Sequence, residues 1–257
     1  VIVQEFNIWE GVYGSFEEAP VVGDGYNGND WVENSLKLLN DLDTSLDFEN
    51  NVLVKRNRDN YLPFLVASSL NTNQEMNVLD FGGGIGFTYK ILRLKTMNNV
   101  SNLKYHIIET PKVCEAGREY FANDKNILFY EDFSSLKSLA IDILHLGSCL
   151  QYVKNWKDLL SDLLSLKPNY VLLTGLVSGD IETFVSVQNY YGSKIPVYFF
   201  STAEVIKFLE SFNLKLSFKS EYTQSYFGKE GDVPMNNFPE NLRIKKPLNL
   251  FFKRIDH

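Results

Sequence analysis

Cysteine is scarce. Cys114 and Cys149 are the only two in 257 residues, far apart and without metal-ligand spacing. A disulfide scaffold is excluded, and a reducing compartment is the simpler reading. With 8 Pro and 16 Gly the chain is neither collagen-like nor of low complexity. Nowhere do 18 apolar residues run together, so no ordinary transmembrane helix is expected. Val1 to Glu10 has no basic stretch and no long apolar run, so no secretory leader is expected there. No Lys/Arg stripe exists, and 25 basic against 32 acidic side chains leave a net charge of −7. That balance argues against nucleic acid as a partner. No cluster of His, Cys, Asp and Glu has metal-binding spacing, so no metal is expected. Together these absences predict a cytoplasmic protein without a membrane span.

What remains is an ordinary globular composition, 44% hydrophobic and 22% charged. A chain of this length buries roughly 70–75% of its unfolded surface, enough for one sizeable core. The 19 Phe, 14 Tyr and 3 Trp are explained by core packing. There are no internal repeats.

Three zones separate by pattern. Residues 1–75 are polar, with Gly and Asn first and a helical period later. Trp31, Val32, Ser35, Leu36, Leu39 and Leu42 mark one helix face, with Asn29 or Asp30 as a cap. A second helical stretch runs roughly from Asn51 to Leu70, with Pro63 as a kink or first turn. Over 76–176, apolar runs at Asn77–Phe81, Tyr105–Ile108, Ile127–Tyr130, Ile141–Leu146 and Tyr170–Thr174 alternate with helical patterns. Those patterns lie at Phe87–Leu94, Lys112–Phe121, Ser134–Leu139 and Trp156–Leu166. The rhythm predicts a parallel sheet covered on both faces, with ligands at the strand C-terminal edge. In 177–257, Ser201-Thr202-Ala203-Glu204 reads as a capping box opening a helix. Leu214–Phe218 and Leu248–Phe252 read as an antiparallel pair. The long connection between them, 223–247, carries Gly228, Gly231, Pro234 and Pro239, and its length suits a functional or mobile loop, such as a substrate lid.

The strongest local signal is Asp80-Phe81-Gly82-Gly83-Gly84-Ile85-Gly86, set between a strand and a helix. Glycines there let the backbone approach a ligand at a helix N-terminus. The dinucleotide spacing G-x-G-x-x-G fails, because Phe87 or Tyr89 stands where the third glycine is needed. The GxxxxGK[ST] phosphate loop is absent too. What fits is D-x-G-x-G-x-G.

With this loop the sequence resembles the class I S-adenosylmethionine-dependent methyltransferases. The resemblance implies a Rossmann-like α/β fold: a mostly parallel seven-stranded sheet, an antiparallel C-terminal hairpin and an N-terminal helical cover. It implies a cover and acceptor-side region over 1–75 and a cofactor domain over 76–257. It implies S-adenosylmethionine as cofactor and S-adenosylhomocysteine as product. Asp80, Gly82, Gly84 and Gly86 would hold the methionine part, with Asp80 on its ammonium group. Glu109, 23 residues after Gly86, would hold the ribose hydroxyls. Asp132 would hold the adenine amine, with Phe133 against the base. Ser148 stands where the family runs from its fourth strand into the active site and is a further implied cofactor contact.

A narrower resemblance lies in Trp9–Ala19, Gly25-Tyr26 and Ser186-Val187-Gln188-Asn189. These are similar to a bacterial subfamily of methyltransferases whose genes often accompany those for capsule or other surface polysaccharides. The implied reaction is O-methylation of a small-molecule acceptor, a carbohydrate and in particular a nucleotide-linked sugar such as a heptose. Tyr26 and Gln188 are the implied substrate or cofactor contacts, with structural roles as the alternative. An Arg expected after strand five is missing from Thr174–Asp180.

A sugar hydroxyl is a weak nucleophile, so a positioned base helps. Of the three histidines, His257 is terminal and His106 lies inside strand two. His145, in strand four, points either to the cofactor edge or into a covering helix, where strand residues usually pack. Tyr152 and Asp180 are its rivals as catalytic groups. Tyr152 needs activation and Asp180 equally suits a turn. Glu17 and Glu18 suit a solvated face. Arg56 and Arg58 suit a diphosphate or a solvent-facing helix. Alternative functions are methylation of a small metabolite or a phosphate-type oxygen, and a non-catalytic cofactor-binding subunit. A nicotinamide oxidoreductase is disfavoured by the glycine spacing. The sequence does not fix the oligomeric state.

Overall fold

Apolar runs that are continuous rather than alternating must be buried on both faces, and these runs build the larger sheet. The computed structural model describes residues 6–44, 60–69, 74–96, 100–190 and 192–255. In chain order the elements are β1 (Trp9–Tyr13), α1 (Asn29–Thr44), α2 (Tyr61–Ser69), β2 (Met76–Phe81), α3 (Phe87–Lys95), β3 (Leu103–Ile108) and α4 (Pro111–Tyr120). They continue with β4 (Ile127–Tyr130), β5 (Ile143–Gly147), α5 (Trp156–Ser165), β6 (Tyr170–Leu176), β7 (Ser178–Gly179), β8 (Phe184–Tyr190) and β9 (Ser193–Ser201). The last are α6 (Thr202–Glu210), β10 (Leu214–Glu221), β11 (Ser225–Tyr226), β12 (Lys229–Glu230) and β13 (Leu248–Arg254). Seven strands form one sheet in the order β10-β13-β6-β5-β2-β3-β4. β2 pairs in parallel with both β3 and β5, while β10 and β13 pair antiparallel, as the sequence predicts. The predicted Ser134–Leu139 stretch is a single 3-10 turn over Ser134–Leu136.

The chain divides into two compact units. One comprises Asn29–Gly147 and Ser161–Leu172. Its sheet register puts Val78, Asp80, Tyr105, Ile107 and His145 on one face of the sheet, because side chains alternate along each strand. α1 has the predicted face, with Val32 and Leu39 buried, but it begins at Asn29 itself, so Asn29 is its first residue and Asp30 its second. Of the predicted helix over 51–70, residues 61–69 form α2, with Pro63 near its start; 51–59, including Arg56 and Arg58, and Leu70 lie outside the described residues. So does His257.

The other unit comprises Val1–Gly28, Ser148–Leu160 and Leu173–His257. It contains a second sheet, β1-β8-β9-β7, which the sequence reading did not contain. Its core is aromatic: Trp9, Phe184, Phe199 and Phe238 are buried together, and Phe184 stacks on Phe199 at 5.0 Å. The connection 223–247 joins this core through Tyr226, Val233, Met235, Phe238 and Ile244. So many buried apolar contacts anchor the segment, unlike a free loop. The predicted capping box at Ser201 is in place but unused. Ser201 caps no N–H with its side chain, while Glu204 accepts from the Thr183 hydroxyl at 2.5 Å and pairs with Lys157 at 2.7 Å.

Candidate functional site

In the first unit, β2 runs straight into the glycine loop, and α3 begins at Phe87. Gly86 precedes the helix with φ +94°, and a Cβ there would lie 2.7 Å from the Phe121 ring and 2.9 Å from Ile127. No side chain fits that position without displacing core. Gly83 is required for a different reason: a Cβ on it would lie 2.6 Å from Asp80 Oδ2, so the loop backbone rests on that carboxylate. The Gly82 N–H donates to the Ile108 carbonyl at 3.0 Å, tying the loop to the end of β3.

Glu109 stands just past β3. Its Oε1 accepts from the Gly84 N–H at 3.1 Å and its Oε2 from the Thr110 N–H at 2.9 Å. Burial raises the Glu109 carboxyl above its ordinary value, with the two N–H donors acting in the opposite direction. A cavity of about 170 Å³ borders the loop, and its lining includes Trp31 and Ser35 of α1 with Asp80, Gly84, Phe87 and Gly147. The contribution of α1 was missed by the loop motif. The only signal for it in sequence is the helical face that carries Trp31 and Ser35.

Asp80 is 1% exposed, and both its oxygens are engaged. Tyr105 donates its hydroxyl to Oδ2 at 2.6 Å, and His145 Nδ1 lies 2.8 Å from Oδ1. His145 thus packs inside the sheet layer against the loop's own carboxylate. Tyr105 carried no role in the sequence reading. Its link to Asp80 depends on the register of two strands 25 residues apart. On the opposite face His106 is buried between Asn77 Oδ1, 3.0 Å from Nε2, and the Tyr130 hydroxyl, 3.1 Å from Nδ1. Burial lowers its pKa to about 4, so it is a neutral structural histidine.

After β4, Asp132 is exposed and turns back on the chain. Its Oδ1 accepts from the Ser134 N–H at 2.7 Å and from the Ser134 hydroxyl, and these bonds lower its pKa. Phe133 is half-buried, with the Lys137 ammonium 5.6 Å from its ring centre.

The remaining predicted residues belong to the second unit. The segments Trp9–Tyr13 and Ser186–Asn189 are adjacent strands there, with Trp9 opposite Gln188. The Gln188 Oε1 accepts from Tyr152 at 2.6 Å and more weakly from Tyr26 at 3.4 Å. The Tyr26 ring packs on Tyr152 at 4.8 Å and on Tyr190 at 5.3 Å. Burial pushes the Tyr152 hydroxyl up to about 12 and Tyr26 well above its ordinary value. Both are therefore donors at neutral pH, and Tyr152 is poorly suited to act as a base. Ser148 is exposed in a left-handed conformation, φ +54°, with its N–H on the Thr174 carbonyl at 2.8 Å. Asp180 is exposed in the turn after β7. Glu17 pairs with Lys154 at 2.5 Å and Glu18 accepts from the Gly14 N–H at 3.0 Å, both at the surface. Among the described residues no group of three or more His, Cys, Asp or Glu could hold a metal ion, and no helix is long and apolar enough to cross a membrane.

No protein-family model and no curated protein matches the chain. Solved structures do. One is the 1,6-didemethyltoxoflavin-N1-methyltransferase of Burkholderia thailandensis, bound to 1,6-didemethyltoxoflavin and S-adenosylhomocysteine, at 12% identity and a TM-score of 0.51. That match covers 96% of this chain and 100% of the other. A second is the magnesium protoporphyrin IX methyltransferase of Synechocystis PCC 6803 with bound S-adenosylhomocysteine, at 14% identity and a TM-score of 0.50, covering 77% and 81%. A third is a SAM-dependent methyltransferase from Methanosarcina mazei, at 11% identity and a TM-score of 0.51, covering 75% and 98%. At such identities the likeness is one of fold. The chain has the Rossmann-like fold of class I S-adenosylmethionine-dependent methyltransferases.

Proposed function

We propose that the chain is an S-adenosylmethionine-dependent O-methyltransferase acting on a carbohydrate hydroxyl, with a nucleotide-linked sugar for surface polysaccharide as acceptor. The observation that carries the cofactor half is the cradle in the first unit. The loop leaves no room for a Cβ at Gly83 or Gly86, and it joins two carboxylates, Asp80 beneath it and Glu109 beside it. The donor set fits: a carboxylate has about four acceptor sites, so Glu109 retains capacity for a vicinal diol and Asp80 for an ammonium group. The B. thailandensis and Synechocystis structures, both with S-adenosylhomocysteine bound, support the same cofactor.

When bound, the cofactor supplies a methyl group on a positively charged sulfur. The chain's own residues hold and orient it: Asp80, Gly82, Gly84 and Gly86 at the amino-acid end, Glu109 at the ribose, Asp132 and Phe133 at the adenine. Alignment and exclusion of water then carry most of the catalytic burden. The acceptor half rests on the resemblance of the Trp9–Ala19, Gly25-Tyr26 and Ser186–Asn189 segments, with Tyr26 and Gln188 as acceptor contacts. Of the three candidate bases, His145 is engaged by Asp80 and Tyr152 is held protonated. Asp180, exposed after β7, is the remaining candidate.

A second reading, a cofactor-binding subunit that supports a partner enzyme, draws on the same engagement of His145 and Tyr152. Calorimetric titration with S-adenosylhomocysteine and, separately, NADH tests the cofactor. Binding of the first alone is expected, and binding of NADH alone would refute the reading. Release of S-adenosylhomocysteine by the isolated chain with nucleotide sugars supports the acceptor class. Turnover only with small metabolites or phosphate-type acceptors overturns it, and any turnover removes the subunit reading.

A further inference from the structure

We propose that Tyr105 and His145 are positioning residues that fix the Asp80 carboxylate for the amino-acid end of the cofactor. The inference rests on the cofactor reading above. Parallel register sets Asp80 of β2 between Ile107 of β3 and His145 of β5, and Tyr105 lies two residues before Ile107 on the same face. The three polar side chains therefore meet in one layer, and all are nearly inaccessible: 1% for Asp80, 0% for Tyr105 and 3% for His145.

A buried carboxylate without partners is strongly disfavoured. Here each oxygen has one donor, at 2.6 Å from the Tyr105 hydroxyl and 2.8 Å from His145 Nδ1. The first distance is in the range of a charge-assisted O–H···O bond. The donors themselves are held. Tyr105 packs against the Tyr89 ring of α3 at 5.2 Å, and His145 is locked in the interior of β5. From above, the Gly83 backbone closes on the same carboxylate, leaving no room for even a methyl group. Bounded on three sides, the carboxylate has one orientation. Two of its four acceptor sites are used internally, and the residue still borders the cavity. A donor arriving there meets a charge that needs no reorientation, which is how preorganisation raises affinity.

This arrangement predicts a ligand-selective effect. Titrate the full chain, and Tyr105→Phe and His145→Leu, with S-adenosylhomocysteine and with 5′-methylthioadenosine, which lacks the amino-acid end. Each variant should weaken S-adenosylhomocysteine by about tenfold, the scale of one lost hydrogen-bond contribution, and leave 5′-methylthioadenosine within about threefold. His145→Asn, whose amide nitrogen replaces Nδ1, should restore most of the loss. Equal weakening of both ligands in the isosteric Tyr105→Phe would mean general support of the loop and overturn the inference. Unchanged S-adenosylhomocysteine binding in both variants would overturn it as well, while leaving the cofactor reading intact. A wild-type chain that binds neither ligand overturns the cofactor reading, and this inference falls with it. If His145→Leu does not fold, as judged by its melting, Tyr105→Phe and His145→Asn decide.

Discussion

Glu109→Gln separates the binding role of that carboxylate from its structural one. In the folded chain the two oxygens each accept one backbone N–H, from Gly84 at 3.1 Å and from Thr110 at 2.9 Å. An amide offers one oxygen and one NH2, so one of those N–H groups loses its acceptor, at a cost of about 1–3 kcal/mol. Against this, the buried ionised carboxylate is itself unfavourable, as the upward shift of its pKa shows, and the amide removes that penalty. The two effects oppose, and the net loss of stability should be no more than about 1–2 kcal/mol. Ligand affinity has no such offset. Replacing a charged acceptor by a neutral one forfeits about 1.5–3 kcal/mol, which weakens S-adenosylhomocysteine about tenfold to a hundredfold. Urea unfolding and calorimetry on the same preparation measure both quantities. The pH dependence follows from the sign of the shift. With a folded pKa above 4.5, the carboxylate is lost on acidification earlier than an unperturbed Glu would be. Wild-type affinity should therefore decline on the acid side with an inflection above 4.5, and Glu109→Gln should lack it. Affinity within threefold of wild type at neutral pH, or a stability loss above about 3 kcal/mol, would refute the reasoning.

Gly86→Ala should destabilise the fold by about 2–4 kcal/mol, combining left-handed backbone strain with overpacking against Phe121 and Ile127; an unchanged urea midpoint contradicts this. His106 is charged in the folded chain only near pH 4, against 6.5 unfolded, so its contribution is intact above 6.5 and lost as pH falls toward 4. The loss at the acid end is about 3 kcal/mol, and His106→Gln should flatten that part of the stability–pH curve, measured by urea unfolding at several pH values. Tyr152→Phe removes the 2.6 Å bond to Gln188 and should cost about 1–2 kcal/mol. With the hydroxyl held at about 12, the shape of any pH–rate profile below pH 10 should not change in that variant, and loss of an ascending acid-side limb there would show that Tyr152 acts as a base.

The sequence by itself determined the features that are local. Val78, Leu79, Ile107 and Leu144 sit in runs whose continuity requires burial on both faces, and that alone announces a parallel sheet. The loop from Gly82 to Gly86 announces itself by spacing, and the family resemblance it carries implies Glu109 at the next strand end. The final pair, Leu214–Phe218 with Leu248–Phe252, was legible because alternation marks an edge hairpin. Where partners are distant in sequence, the local pattern fails. Trp9 pairs opposite Gln188, and nothing near either residue specifies the other, so the second sheet went unseen. Ser201 and Glu204 had the spacing of a capping box, but Thr183 and Lys157 offered Glu204 better partners from elsewhere. The same holds at the heart of the candidate site. Alternation tells which face of its strand Asp80, Tyr105 or His145 occupies, but only the register of three strands brings Tyr105 and His145 within 2.8 Å of the Asp80 oxygens. Register is a property of paired strands, set when their apolar faces close together, and no single strand contains it.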